Sequence, residues 1–178
     1  MKPFLSLGTL VINESTSYPG TLRNLVAAKL GDEFLFAAAP ERVDPGRSDF
    51  NIFNTPRLLG AISEEAVKMA HDFYSKFCRT IHIVSSPEVA EAAKLFENTF
   101  RQVNIALVNE FAQISYALGI PTRETIEAAS TKPFGFSPFY PGPGMGGHCI
   151  PIDPFYLSWK ARETGFEARF IELAGQVN

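Results

Sequence analysis

The chain has 178 residues, of which 46% are hydrophobic, and its formal net charge is −3. This length suits one ordinary domain or two small ones, and the apolar content is enough to build a core, which excludes a disordered protein. Acidic and basic residues are interspersed, so nothing indicates a nucleic-acid partner, and no apolar run approaches the roughly 20 residues of a membrane span. No signal peptide follows Met1, so we expect a cytoplasmic protein.

The first part of the sequence alternates between strand and helix patterns. Amphipathic segments predict two helices, one that ends at Gly31 and one that is capped by Ser63. Apolar segments predict four strands, at residues 8–16, 33–46, 55–62 and 80–86. Alternation of this kind is typical of βαβ units, so it predicts a parallel sheet in an α/β protein.

The second part of the sequence is helical. Pro87 opens one long helical pattern that runs to about Leu118, and its second half is apolar on nearly all sides, so we expect it to be buried all round. Two further helices follow, the last of which begins near Asp153. We therefore predict an α/β domain at residues 1–86 and, at residues 87–178, a long connecting helix with an all-helical domain.

A glycine-rich loop carries one of the two cysteines. Cys149 lies in the stretch PGPGMGGHCIPIDP, and the glycines at 144, 146 and 147 leave backbone N–H groups free to turn toward a sulfur or an oxyanion. Such donors stabilise a thiolate, which is the nucleophilic form of cysteine. One alternative is a tight loop with an inert cysteine. Another is a thiol hydrolase that uses His148, but no acid or amide stands where it would orient that histidine. Cys78, near the end of a helix pattern, is expected to be a small buried thiol.

Two polar positions of the long helix are candidates for the same site. Lys94 and Asn98 are four residues apart and share a helix face, with Glu91 and Gln102 near the same stripe. For a lysine and an asparagine alone, a solvated helix face would be the favoured explanation. Their position argues otherwise, because clefts form where two domains join, and a lysine and an amide there could hold an oxyanion. Asp153 precedes a proline and a helical pattern, which predicts an N-cap, and a capping carboxylate can still face the site.

Thr16 and Glu41 follow the first two predicted strands, in the segments EST and PER. In open parallel sheets, ligands bind beyond the carboxyl ends of the strands. Each residue alone is an ordinary polar loop residue. Together with Cys149 they complete a set of a nucleophile, oxyanion donors, and a carboxylate and hydroxyl that could position water. No metal site is expected.

Four segments then resemble one known family, the UDP-glucose/GDP-mannose dehydrogenases: INESTSYPGT, PERVDPG, EAAKLFENTFRQVNIALVNE and FYPGPGMGGHCIPIDP. They occur in the family's order and cover nearly the whole chain. The form GGHCIPIDP is most similar to members that act on UDP-N-acetylglucosamine or UDP-N-acetylmannosamine. The resemblance implies the second half of a Rossmann-like NAD-binding domain, followed by a central domain like the middle domain of 6-phosphogluconate dehydrogenase, through which members form homodimers, largely along the long helix at 87–118.

The resemblance also implies an activity and a set of roles. The family oxidises the 6-hydroxymethyl group of a nucleotide sugar to a carboxylate with two NAD per turnover. Cys149 would attack the aldehyde to give a thiohemiacetal and then a thioester, with Lys94 and Asn98 stabilising the oxyanions. Asp153, Thr16 and Glu41 would handle water and protons, and Thr16 and Glu41 would also contact the cofactor.

The sequence departs from the family pattern in what it lacks. It has no Gly-x-Gly-x-x-Gly after any strand, which is the usual dinucleotide fingerprint, and it lacks the family's further α/β domain. Both ends resemble cut ends, so we expect a fragment of a UDP-sugar dehydrogenase that is inactive by itself. The alternative is a non-catalytic dimerisation module left by truncation of such an enzyme.

Overall fold

A computed structural model describes residues 4–44 and 46–178. The chain divides into two compact units, Met1–Leu95 and Phe96–Asn178. The first holds a sheet with helices and the second is helical, which confirms the predicted α/β class with a helical second part. Within the described ranges, no helix combines the length and hydropathy of a membrane span.

Four short strands form the sheet of the first unit in the order β1-β2-β3-β4. They are β1 (Leu10–Asn13), β2 (Leu35–Ala38), β3 (Arg57–Ala61) and β4 (Ile81–Ile83). β1 and β2 are parallel, as are β3 and β4, but β2 and β3 are antiparallel, with Ala37 opposite Ala61 and Ala38 opposite Gly60. The sheet is therefore mixed, and the prediction of a wholly parallel sheet is wrong at this pair.

The reason lies in the connection between β2 and β3. A parallel pair needs a crossover that carries the chain back along the sheet, usually a helix. The described residues between these strands form turns and irregular backbone without a helix. The chain therefore re-enters the sheet in the opposite direction. As a result, the amino end of β3 lies at the carboxyl edge of β1 and β2.

Helices cover both faces of this sheet. A π-helical segment (Leu22–Ala27) continues as α1 (Ala28–Leu30), and α2 (Glu64–Tyr74) begins at the predicted cap, where the Ser63 hydroxyl accepts a bond from the Ala66 N–H. Successive residues of β2 enter opposite cores: Phe36 and Ala38 pack with the cluster around Leu22, and Ala37 with the cluster around Tyr74. Cys78 is buried in the second cluster, as predicted.

The long helix α3 (Pro87–Leu118) has the bounds that the sequence predicts, and it begins in the first unit and ends in the second. The second unit adds α4 (Thr122–Ser130), α5 (Asp153–Arg162) and α6 (Arg169–Val177). Ala106, Val108 and Ser115 of α3 are buried, but Leu107 is 63% and Tyr116 90% exposed. The expectation of burial on all sides is therefore wrong for the single chain, because three short helices and a loop cover only part of α3.

Candidate functional site

The glycine-rich loop of the second unit changes direction at its glycines. Gly144, Gly146 and Gly147 all have positive φ, a conformation that favours glycine. Cys149 is a free, exposed thiol. Its carbonyl accepts the N–H of Ile152 at 3.0 Å and that of Asp153 at 2.8 Å, which makes a tight turn immediately before α5. The loop thus presents the thiol at the surface, beside the start of a helix.

Asp153 is the first residue of α5 and not its cap, so the predicted N-cap is wrong by one position. The cap position is Ile152, whose side chain makes no capping bond. The turn at Cys149 already holds the Asp153 N–H, and this draws Asp153 into the first helical turn. Asp153 is 6% exposed, and its carboxylate accepts a 2.7 Å hydrogen bond from the Asn98 side-chain amide. Two of the predicted site residues, Asn98 and Asp153, therefore lie together.

Gln102 lies one turn after Asn98 on α3 and is fully buried. Among the described residues, neither its amide nitrogen nor its amide oxygen has a hydrogen-bond partner. The stripe predicted from Asn98 and Gln102 is therefore an interior face of the second unit and not a solvated one.

Lys94 and Glu91 belong to the first unit, where Lys94 is half-buried. Glu91 is only 2% exposed, and its carboxylate accepts the backbone N–H groups of Gly20 at 2.7 Å and Leu22 at 2.9 Å. It therefore provides hydrogen-bond acceptors for the backbone N–H groups at the amino end of the π-helical segment, which has no side-chain cap of its own. Burial raises the pKa of Glu91, while the two N–H groups oppose that rise. Sequence analysis placed Glu91 on the stripe but missed this contact.

Thr16 and Glu41 follow strand ends that lie side by side, since β1 and β2 are parallel with Asn13 opposite Ala38. The Glu41 N–H donates to the Glu14 carbonyl at 3.0 Å, which ties the two post-strand loops together. Thr16 is half-buried in the first of these loops. The polar residues that the sequence places after β1 and β2 therefore lie in two loops that a backbone hydrogen bond joins.

The Glu41 carboxylate is held by three donors. One oxygen accepts the N–H groups of Arg42 at 2.6 Å and Val43 at 2.7 Å, and the other accepts the Arg57 guanidinium at 2.8 Å. Partial burial raises the pKa of Glu41, but the Val43 N–H and the Arg57 charge outweigh it, so the pKa lies below its usual value. Glu41 is therefore a fixed, ionised carboxylate.

Sequence analysis missed the buried cation beside Glu41. Arg57 is 4% exposed at the start of β3 and also donates to the Ala39 carbonyl at 3.1 Å. Its guanidinium lies 5.1 Å from the centre of the Tyr74 ring, and the Tyr74 hydroxyl donates to Glu14 at 2.6 Å. Burial, followed by the bond to Glu14, raises the pKa of Tyr74. The sequence places an arginine at the start of an apolar strand, and this pattern indicates a buried cation. Its partner Glu41 could not be predicted, because the contact depends on the antiparallel direction of β3.

A separate apolar groove of about 610 Å³ lies in the second unit. Aromatic side chains make up much of its lining: Phe100, Phe111, Phe136 and Phe139. None of the predicted site residues lines it, and its lining has no titratable side chain. This groove therefore offers the hydroxyls of Thr125 and Ser137 but no carboxylate, amine, imidazole or thiol.

Comparison with known proteins identifies both parts of the chain. The NAD binding domain of the UDP-glucose/GDP-mannose dehydrogenase family matches residues 1–78, and the central domain of the same family matches residues 88–178. NAD is thus the cofactor of the matching family.

Individual relatives agree with these matches. The UDP-N-acetyl-D-mannosamine dehydrogenase of Pyrococcus horikoshii is 41% identical over 178 residues, covering 96% of this chain and 42% of the relative. The UDP-N-acetyl-D-glucosamine 6-dehydrogenase of Pseudomonas aeruginosa is 38% identical, with 97% and 42% covered. A solved structure of a UDP-D-ManNAc dehydrogenase from Pyrococcus horikoshii superposes with a TM-score of 0.89 at 38% identity, covering 99% of this chain and 43% of that one. The chain spans less than half the length of these proteins.

Proposed function

Because the chain belongs to the UDP-glucose/GDP-mannose dehydrogenase family, we propose that it is part of an NAD-dependent enzyme that oxidises the 6-hydroxymethyl group of a UDP-sugar to a carboxylate. The family matches and the names of the relatives support this activity. The observation that carries the proposal within this chain is the glycine-rich loop, which presents an exposed Cys149 next to the buried Asn98–Asp153 pair.

The proposed chemistry is addition of the Cys149 thiolate to the C6 aldehyde of the sugar. The sulfur forms a bond to the aldehyde carbon, the carbonyl electron pair moves to oxygen, and that oxygen takes up a proton to complete the thiohemiacetal. Lys94 and Asn98 stabilise the oxyanion, because a cation and an amide donor both favour developing negative charge. Hydrolysis to the carboxylate would require an oxidant, which is NAD in the family, to remove a hydride from the thiohemiacetal carbon first. Asp153, Thr16 and Glu41 would then position water and carry protons.

Glu41 has the narrowest of these roles. Its lowered pKa and three donors suit an acceptor that orients water or cofactor, and they suit a proton donor poorly. We therefore propose that Glu41 orients water or cofactor and that Asp153 carries the protons.

NAD supplies the hydride acceptor in the family, but the amino end of the π-helical segment does not fit its pyrophosphate. A pyrophosphate rests on a glycine-rich turn and the free N–H groups of a helix amino end. In the first unit, the N–H groups of Gly20 and Leu22 at such an end are bound by the Glu91 carboxylate, whose negative charge would repel a phosphate.

We propose that residues 1–86 are the second half of the NAD-binding domain and that residues 87–178 are the connecting helix and central domain. The family matches, which end at 78 and begin at 88, support this division.

We also propose a homodimer through α3. The exposed apolar side chains of its second half, with Leu107 at 63% and Tyr116 at 90%, support a partner surface there. Light scattering at micromolar concentration should give twice the chain mass of 19.6 kDa. A monomer mass would count against this assembly.

The function is tested by protection of Cys149 in the 178-residue chain. The 6-aldehydes of UDP-N-acetylmannosamine and UDP-N-acetylglucosamine should slow alkylation of Cys149 by iodoacetamide, read by mass spectrometry, and leave Cys78 unaffected. The chain alone should form no NADH from NAD and either UDP-sugar, since the pyrophosphate is not held. Equal alkylation rates with and without both aldehydes would overturn the proposed role of Cys149.

A further inference from the structure

A second asparagine of α3 contacts the loop that carries Cys149. The Asn109 side-chain oxygen accepts the N–H of Gly142 at 3.0 Å. Its side-chain nitrogen donates to the side-chain oxygen of Asn178 at 2.9 Å. Asn178 in turn donates to the carbonyls of Ala174 at 2.9 Å and Gln102 at 3.2 Å. This network sets the orientation of the Asn109 amide, with its oxygen turned toward the loop.

Asn98 and Asn109 hold the two ends of one loop segment. They are eleven residues apart on α3, which is three turns plus about 20°, so their side chains share a face and lie roughly 16 Å apart along the axis. The loop positions that they bind, Gly142 and Asp153, are also eleven residues apart. The helix therefore sets the distance between the ends of the loop that contains Cys149.

The loop segment is much longer than the distance it has to span. Eleven residues can extend to about 36 Å, more than twice the distance between the two asparagines. The chain takes up the excess in turns at Gly144, Gly146 and Gly147, whose positive φ values are 145°, 63° and 74°. A loop with three glycines has many other conformations once one end is released, because glycine restricts the backbone least. Fixing both ends is what keeps Cys149 in one place.

We propose that Asn109 is a positioning residue for Cys149, acting through the Gly142 end of the loop while Asn98 acts through the Asp153 end. This rests on the proposed role of Cys149 as nucleophile. Asn109 does not touch the reacting atoms in this arrangement. It fixes the backbone N–H groups of the glycine segment relative to the thiol.

The experiment compares Asn109→Ala, Asn109→Asp and a matched control, Asn104→Ala, in the 178-residue chain. Asn104 is on the same helix, but its side chain bonds to the Phe100 carbonyl within that helix at 2.7 Å. Hydrogen exchange of peptides covering residues 141–149 measures loop order. The aldehyde concentration that halves Cys149 alkylation measures its function.

Asn109→Ala should speed exchange in the loop about fivefold, which corresponds to the ~1 kcal/mol of a net hydrogen bond, and should raise the half-effective aldehyde concentration by a similar factor. Asn109→Asp keeps both the side-chain volume and the acceptor for Gly142 and should restore most of the protection. A further variant, Asn109→Leu, keeps the packing volume without the acceptor and should behave like Asn109→Ala. Asn104→Ala should match the unsubstituted chain.

The outcomes separate the two proposals. If Asn109→Ala exchanges like Asn104→Ala, Asn109 does not fix the loop and the inference is wrong. If Asn109→Ala unfolds, the Asn109→Asp variant decides whether Asn109 fixes the loop. Fast exchange of the loop in the Asp variant would also overturn the inference. If the aldehyde has no effect on the unsubstituted chain, the proposed chemistry is wrong, and the exchange measurement still decides whether Asn109 fixes the loop.

Discussion

Two glutamates, three residues apart on α3, should differ in the stability lost when their charge is removed and in how that loss depends on pH. Glu91 is buried and accepts the N–H groups of Gly20 and Leu22. Glu88 is partly exposed and pairs with Arg23 at 2.7 Å at the surface. Replacing each by glutamine keeps the size of the side chain and removes the charge, so Glu88→Gln is a matched control for Glu91→Gln.

The expected cost of Glu91→Gln at pH 7 follows from its two donors. A glutamine has one carbonyl oxygen, and its NH₂ group cannot accept, so one buried N–H loses its partner at a cost of about 1–3 kcal/mol. Relief of carboxylate burial moves the result toward the lower end. Glu88→Gln should cost about 0–1 kcal/mol, because an exposed ion pair contributes little. Urea unfolding followed by circular dichroism measures both free energies.

The dependence on pH has opposite signs for the two residues. Burial raises the pKa of Glu91 above 4.5, so the part of its stabilisation that is linked to protonation is fully present below that pH and is lost as pH rises through the folded pKa. The cost of Glu91→Gln at pH 7 is what remains after that loss. The hydrogen bond to Arg23 lowers the pKa of Glu88 below 4.5, so its contribution is present above that pH and is lost as pH falls through the folded pKa. The difference in unfolding free energy between the unsubstituted chain and Glu91→Gln should therefore decrease as pH rises above 4.5. For Glu88→Gln, the difference should decrease as pH falls below 4.5. Equal free energies for both variants, or slopes of one sign, would refute this account of Glu91.

Three further outcomes are expected. Arg57→Met should raise the pKa of Glu41 toward its ordinary 4.5 as seen by NMR titration, and an unchanged value would mean that the backbone donors alone set it. Cys149 should react with iodoacetamide about tenfold or more faster than Cys78, since the latter is buried and reacts only after local opening; faster labelling of the buried thiol would contradict the burial seen here. Gly60→Ala should destabilise the first unit by about 3 kcal/mol or more, because an added Cβ would lie 2.2 Å from a backbone carbonyl oxygen just before α3. A calorimetric melting temperature within 1–2 °C of that of the unsubstituted chain, on the order of experimental error, would show that this contact relaxes freely.

The sequence by itself determined the type and order of most elements. Hydrophobic periodicity and the proline at position 87 fixed the long helix to its observed bounds, and Ser63 marked the start of α2. The glycines around Cys149 marked a loop, in which three of them have positive φ. Each of these features depends on interactions within a few residues, namely steric limits, capping bonds and the spacing of apolar side chains, and such interactions can be read from the local pattern.

Only the tertiary structure decided the partners of the polar groups. Glu91 binds a helix end 71 residues away, and Arg57 binds a carboxylate 16 residues away that is within reach only because β3 is antiparallel to β2. Asn98 likewise finds Asp153 across 55 residues. A buried polar side chain must find a partner to offset its lost hydration, but which partner it finds depends on how distant segments pack and in which direction each strand runs. Periodicity does not contain that information, so the candidate residues could be predicted and their contacts could not.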